Sequence, residues 1–450
     1  VDKSKKIGFA IVLGIPLFLA FGGSVFVLVA SARASKSIDS ERLIARRLGI
    51  PTEPGDLSTT RIPPSQNAAT LYRRLDGLLT GDLAKQQKLI TNGTGKELTS
   101  AEAEARSAAL VKLGPMLALA TQLDTHPHCD FERDWSQGQY LRFSEFPGMR
   151  SLEKDLVLQA DTQDLHGDSA GAMKSLGYAE RVAVDAGADP TLISMLVRLA
   201  GKSIVNREYQ TLISRHSRDT AYLDSISKRV QASSALPDIK FYCRGEVVLG
   251  ISAIRSLTDL RPFRSYAGDS DSESETGSSE SGASFQRAFF QSHLVQNTLS
   301  TKLLAAWEVA WSKFPKDTED WDAYLRALSA MEVSIDKDTS LSNAFNRILF
   351  PIFDQASLAV GKLQAQNRML LTSIEVLKIR NATGKLPVVT PSRLGPLRLD
   401  PFDGNPLRYV RMGSGFKLYS IGTDRKDDGG HPRTPGDPDG TSVDDVVEFK

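Results

Sequence analysis

The chain changes its periodicity once, and that change limits what it can fold into. From about residue 38 to about residue 380, apolar side chains recur at helical spacing. At "NATGKLP", Asn381 to Pro387, the pattern stops on residues that end helices. Beyond it come Pro, Gly, Asp and three short β-prone runs, "LRYVRM", "FKLYSIG" and "DVVEF", suited to strands joined by tight turns. The expected fold is therefore mainly α, with a large helical domain over 35–380 and a small antiparallel β module over 381–450. At 450 residues the chain is long enough to bury a substantial core.

The helical region is preceded by "IGFAIVLGIPLFLAFGGSVFVLVASA", Ile7 to Ala32, an uncharged run longer than the roughly 20 residues that span a bilayer. Residues 7–32 are thus expected to form a transmembrane anchor. Lys3, Lys5 and Lys6 favour a cytoplasmic N-terminus, which puts the bulk of the chain in an extracytoplasmic space. A cleaved signal peptide is the alternative, since Ala30-Ser31-Ala32 and Ala32-Arg33-Ala34 both have the small-residue pattern of a cleavage site. The chain carries 55 basic and 54 acidic residues, so its overall balance gives no reason to expect nucleic acid as a partner.

Within the helical region, Leu71, Leu75, Leu78, Leu79 and Leu83 lie on one stripe of one expected helix. Next comes a segment that Ser100 is placed to cap and Pro115 to kink or divide. Leu152 to Ala200 reads as three successive helices, broken at Gly167-Asp168 and at Gly187 to Pro190. Ala160, Gly167, Ala172 and Ala179 have the small-residue spacing of a helical hairpin, compatible with solenoid-like packing or with an ordinary helix crossing. Ser265 to Ser284, rich in Ser, Gly and acids, is expected to be a disordered insertion.

Enzyme motifs are sparse along the chain. Three Ser-x-x-Lys matches, starting at Ser151, Ser225 and Ser414, lack any companion element, and "GTGKE" at Gly93 lacks the strand and first glycine of a phosphate loop. The two cysteines, Cys129 and Cys243, are candidates for a disulfide in an oxidising compartment. "HPHCD" offers His126, His128 and Cys129 as an alternative metal cluster. No catalytic residue is expected. The C-terminal acids are more suggestive: Asp424, Asp427, Asp428, Asp437, Asp439, Asp444 and Asp445 lie on a Gly- and Pro-rich backbone, and calcium takes oxygen ligands of this kind.

A helix running into "TGKLP", then "DPFDGNPLRY", "GFKLYSIGTD" and "DDVVEF", resembles the C-terminal half of the major pseudopilins of type II secretion systems. The resemblance covers Arg380 to Lys450. It implies a calcium ion held by Asp424, by the carbonyls of Ile421 and Thr423, and by Asp444 with Asp445. Two departures are the extra Asp403 in the first turn and a longer loop, Arg425 to Val443, in which Asp427 and Asp428 are alternative ligands. A third lies at the N-terminus. Gly8-Phe9 echoes a prepilin junction, but Leu13 stands where the family has a Glu.

Anchor and resemblance together give the expectation of a non-enzymatic, single-pass protein of the bacterial inner membrane. It would bind or assemble with protein partners of a type II secretion or pilus-like system. The alternatives are a filament subunit with an inserted helical domain and an envelope hydrolase with its site in the helices.

Overall fold

A computed structural model describes residues 28–78, 99–256, 288–317, 320–337, 352–431 and 444–449. It is mainly helical, with one small antiparallel sheet. We label the longer helices α1 (28–47), α2 (Ser100–Lys112), α3 (Gly114–Thr121), α4 (Glu145–Leu165), α5 (Ser169–Ala186) and α6 (Leu192–Arg215). They continue with α7 (Thr220–Ser233), α8 (Ile239–Ser256), α9 (His293–Lys313), α10 (Trp321–Lys337) and α11 (Ile352–Thr383). The strands are β1 (Arg408–Met412), β2 (Gly415–Ser420) and β3 (Asp445–Phe449).

Among the described residues no helix is long and apolar enough to cross a membrane. The expected anchor, Ile7 to Ala32, lies outside them except for its last five residues. Those five open α1, whose Ile38 and Ala45 are buried in the helical body. The Ser-rich insertion also lies outside the described residues.

Local chemistry explains the helix boundaries. The expected single helix through Leu71 and Leu75 is instead two one-turn helices, Ala69–Tyr72 and Leu75–Leu78, with a tight turn at Arg73–Arg74 in which the Arg74 amide donates to the Leu71 carbonyl. Leu71 and Leu75 are buried all the same, while Leu79 and Leu83 fall outside the described residues. Thr99, not Ser100, caps α2: its hydroxyl accepts from the Glu102 amide and Glu102 accepts from the Thr99 amide, a reciprocal capping box. Pro115 divides the segment, because a residue without an N–H is tolerated only in the first turn of the new helix, α3.

The three-helix expectation matches α4, α5 and α6. Gly167 turns the chain at φ 82°, and Asp168 caps α5 by accepting from the Gly171 amide at 2.8 Å. Ala160, Ala172 and Ala179 are fully buried and let α4 and α5 pack closely.

Among the described residues the buried apolar side chains form two large cores and a small cluster of Leu57, Trp135 and Val248, and two helices run through both large cores. In α6, Leu192, Met195 and Leu199 belong to one core, and Val205, Tyr209 and Leu212 to the other. In α11, Val360 and Leu363 face the core shared with α8, α9 and α10, whereas Met369, Ile374 and Leu377 face the core shared with α4, α5 and α7. The terminal module is built into both. Phe416, Leu418, Val447 and Phe449 enter the α4/α5 core, and Phe402 and Ile421 enter the other.

The sheet order is β1-β2-β3, with Arg408 opposite Tyr419 and Phe416 opposite Phe449. A two-residue turn, Gly413-Ser414, joins β1 to β2, and Gly413 takes φ 60°. The stacked rings of Phe416 and Phe449, 5.2 Å apart, are each worth roughly 1.5–3 kcal/mol by burial alone.

Candidate functional site

The module is organised by Asp400, the first residue of the turn "DPFDGNP". Its side chain is fully buried and accepts hydrogen bonds from the Phe402 amide (3.0 Å), the Ser420 hydroxyl (2.9 Å) and the Ile421 amide (2.9 Å). Arg408 Nη1 adds a fourth contact at 3.1 Å. One carboxylate thus ties the turn to the end of β2. Arg408 also reaches Asp403 (2.6 Å) and Asp427 (3.4 Å). Burial pushes the Asp403 carboxyl up, but hydrogen bonds from Arg408 and Asn405 outweigh it and bring it down to about 2.

The loop that follows β2 is clamped in turn. Tyr419 donates to Asp427 Oδ1 at 3.1 Å, and Lys417 Nζ donates to the carbonyls of Gly429 (2.9 Å) and Gly430 (3.2 Å). Asp444, immediately before β3, is 3% exposed and accepts from the Gly430 amide at 2.7 Å. Burial pushes its carboxyl up, and the charges of Asp427 and Asp428 act in the same direction.

The residues expected to hold calcium take up different positions in the module. Asp424 is exposed and, among the described residues, accepts only the local Lys426 amide, at 3.2 Å. Thr423 is exposed. Ile421 is buried, its amide held by Asp400. Asp445 pairs with Lys362 of α11 at 3.2 Å, so it faces the helices. Only Asp444 lies against the Gly-rich loop, and its acidic neighbours are Asp427 and Asp428 rather than Asp424. Among the described residues no group of three His, Cys, Asp or Glu is arranged to hold a metal ion; Asp437 and Asp439 lie outside them. Two buried carboxylate oxygens in this loop, Asp428 Oδ2 and Asp444 Oδ1, have no hydrogen-bond partner. Burying such an atom unsatisfied is costly, and a hard cation is the ligand that fits acceptor-only oxygens.

A second concentration of charge lies in the helical body, where sequence spacing gave no warning of it. Arg133 is held between the rings of Phe131 and Phe143, 4.6 and 4.9 Å from its guanidinium carbon, and pairs with Asp189 and Glu145, each at 2.9 Å. Desolvation pushes Asp189 up to about 6, against the pull of Arg133. Arg133 and Asp189 border a cavity of about 500 Å³, together with Cys129, Asp130 and Trp135. Glu132, beside them, holds φ 49°, a left-handed conformation uncommon for a residue with a side chain. Asn67 fixes the segment by donating to the Asp130 carbonyl (2.8 Å) and accepting from the Asp130 amide (3.0 Å). The only sequence signal here was "HPHCD", read as a metal or disulfide element.

Neither reading of that element matches the structure. His126 hydrogen-bonds through Nδ1 to the Gln122 carbonyl at 2.9 Å, and His128 pairs through its backbone with the Asn67 segment. Cys129 and Cys243 are free thiols in different cores. Burial pushes both thiols well up, so neither is primed as a thiolate.

Comparison with protein-family models, curated proteins and solved structures finds no match to this chain.

Proposed function

We propose that the protein is a membrane-tethered, non-enzymatic binding or assembly component, its bulk outside the cytoplasm and its C-terminal module pseudopilin-like and pinned by calcium. Asp428 and Asp444 are the residues that would hold the ion, in place of the set Asp424, Asp444 and Asp445 with the carbonyls of Ile421 and Thr423. The carrying observation is the pair of buried, unpartnered carboxylate oxygens at the junction of the Gly-rich loop and β3. Bound calcium would supply the positive charge that these oxygens lack. The resemblance to pseudopilins points to partners in a secretion or pilus-like assembly. The arrangement of α11 favours binding over filament building: α6, α7, α10 and the sheet all pack on it, which leaves it little free surface for a filament core. Helices α4 to α6, packed in sequence, suit a solenoid-like docking surface.

The test is thermal melting of the full chain with calcium and with chelator, beside Asp428→Asn and Asp444→Asn. A calcium-dependent rise in Tm that both variants lose supports the reading. The same Tm with calcium and with chelator contradicts it.

One observation favours a second reading, a hydrolase. Asp189 borders the Arg133 cavity with its carboxyl raised to about 6, within the range of a general acid or base. Turnover of chromogenic ester, peptide or glycoside substrates that is lost in Asp189→Asn would support it. Failure to turn over any of them would leave the binding reading in place.

A further inference from the structure

Where α4, α6, α11 and β3 meet there is another cavity of about 500 Å³, remote in sequence from the Arg133 site. Arg150 of α4, Arg207 of α6 and Lys362 of α11 line it, and the only carboxylate in its lining is Asp445 of β3. Lys362 is engaged with that carboxylate at 3.2 Å. Among the described residues, neither Arg150 nor Arg207 makes an ion pair or a hydrogen bond through its side chain. Two guanidinium groups thus border one recess with their hydrogen-bond donors free of side-chain or backbone acceptors among the described residues.

The acids next to these arginines along the chain do not neutralise them. Glu153, one turn after Arg150, is buried with Oε1 unpartnered, and desolvation pushes it up to about 8 despite the opposing effects of Arg150, Lys202 and Lys154. Glu208 adjoins Arg207 and is pushed up to about 8 for the same reason, with Oε1 also unpartnered. Neither glutamate lines the cavity, whose wall sets Arg150, Arg207 and Lys362 against the single carboxylate of Asp445. The wall also carries hydrogen-bonding amides. Asn206 donates to Asn367 at 2.8 Å, and Gln366 Oε1, an acceptor buried without a partner, would take a donor on the ligand and not its oxyanion. Met369, Leu370 and Val447 supply an apolar side. The volume falls in the range of small-molecule sites.

We propose that this cavity binds a small molecule bearing an oxyanion, phosphate or carboxylate, through Arg150 and Arg207 with Lys362. Planar guanidinium groups match the paired oxygens of such ligands, and two of them on neighbouring helices give a specificity that a single surface charge lacks. A ligand that draws Lys362 from Asp445 would act directly on β3, so occupancy of the cavity and the order of the terminal module are coupled.

The experiment uses the full chain in calcium-free buffer, so that its outcome is independent of the calcium reading. Inorganic phosphate and citrate are titrated by calorimetry and by thermal melting, against chloride at equal ionic strength. The expected result is saturable binding and a raised Tm with phosphate or citrate but not with chloride. Arg150→Gln and Arg207→Gln should each weaken binding by about tenfold or more, as loss of a charge-assisted hydrogen bond does. Both side chains are exposed, so the variants should melt normally in chloride, and that measurement separates lost binding from lost folding. Glycerol phosphate and a short-chain phosphatidylglycerol distinguish the source: equal affinity identifies a free anion, and tighter lipid binding identifies a headgroup whose chain lies on the apolar side. Phosphate and citrate behaving like chloride, or undiminished binding in the double variant, would overturn the proposal.

Discussion

Replacing Asp400 with Ala probes the keystone of the terminal module. The substitution removes one fully buried carboxylate that accepts from two backbone amides and a hydroxyl and pairs with Arg408. The Ser420 hydroxyl can rotate to a new partner, and Arg408 keeps Asp403. The amides of Phe402 and Ile421 stay buried with no acceptor, at roughly 1–3 kcal/mol each. Because Arg408 keeps its contacts with Asp403 and Asp427, the two orphaned amides dominate, for a total loss of roughly 2–6 kcal/mol. The matched control is Asp424→Ala, an exposed residue expected to change stability by no more than about 0.5 kcal/mol. Urea unfolding followed by tryptophan fluorescence reads both, because Trp321 packs edge-on against Phe402 at 5.2 Å. Phe402 and Phe416 sit in different cores, so the loss should appear in the main transition and not as a separate early melting of the sheet. If Asp400→Ala and Asp424→Ala cost the same, the role assigned to Asp400 is wrong.

Three further outcomes are expected. Glu153 has its folded pKa raised to about 8 from an unfolded value near 4.3, so its contribution to stability is fully present below about pH 4.3 and is lost as pH rises toward 8, at up to about 1.4 kcal/mol per pH unit; Glu153→Gln should flatten this slope in urea melts at pH 5 to 8 and be more stable than the parent at pH 8. A Cβ on Gly361 would lie 2.7 Å from the Trp321 ring, so Gly361→Ala should cost about 1–3 kcal/mol and shift tryptophan emission. Thr99→Ala removes the capping box of α2 and should cost about 1 kcal/mol, seen as faster hydrogen exchange in the first turn of that helix.

Much of this architecture was legible in the sequence wherever local chemistry decides structure. Gly167-Asp168, Pro115 and "NATGKLP" mark breaks that hold, since Gly, Pro and capping side chains act within a few residues. The spacing of Leu71 and Leu75 correctly marked them as buried, but periodicity cannot detect a tight turn that preserves the same facing, and so the break at Arg73–Arg74 went unseen. The calcium residues were read by carrying over positions from a pattern. Asp424 is exposed, and Asp428 lies close enough to Asp444 for its charge to raise that carboxyl, in a loop that Lys417 clamps at Gly429 and Gly430. The Arg133 cluster and the Arg150 cavity join residues from distant elements, and no spacing rule carries that information. Nor was it legible that the β module would share both helical cores, because the partners of Phe402 and Phe416 are set by packing alone.

The most direct test of the central claim is hydrogen exchange at β3 and at Gly429-Gly430, measured on the full chain with calcium and with chelator. Calcium binding through Asp428 and Asp444 predicts slower exchange at Val446 to Phe449 and at Gly430 when calcium is present, and no calcium effect in Asp444→Asn. Identical exchange in the two buffers would contradict a calcium-pinned module.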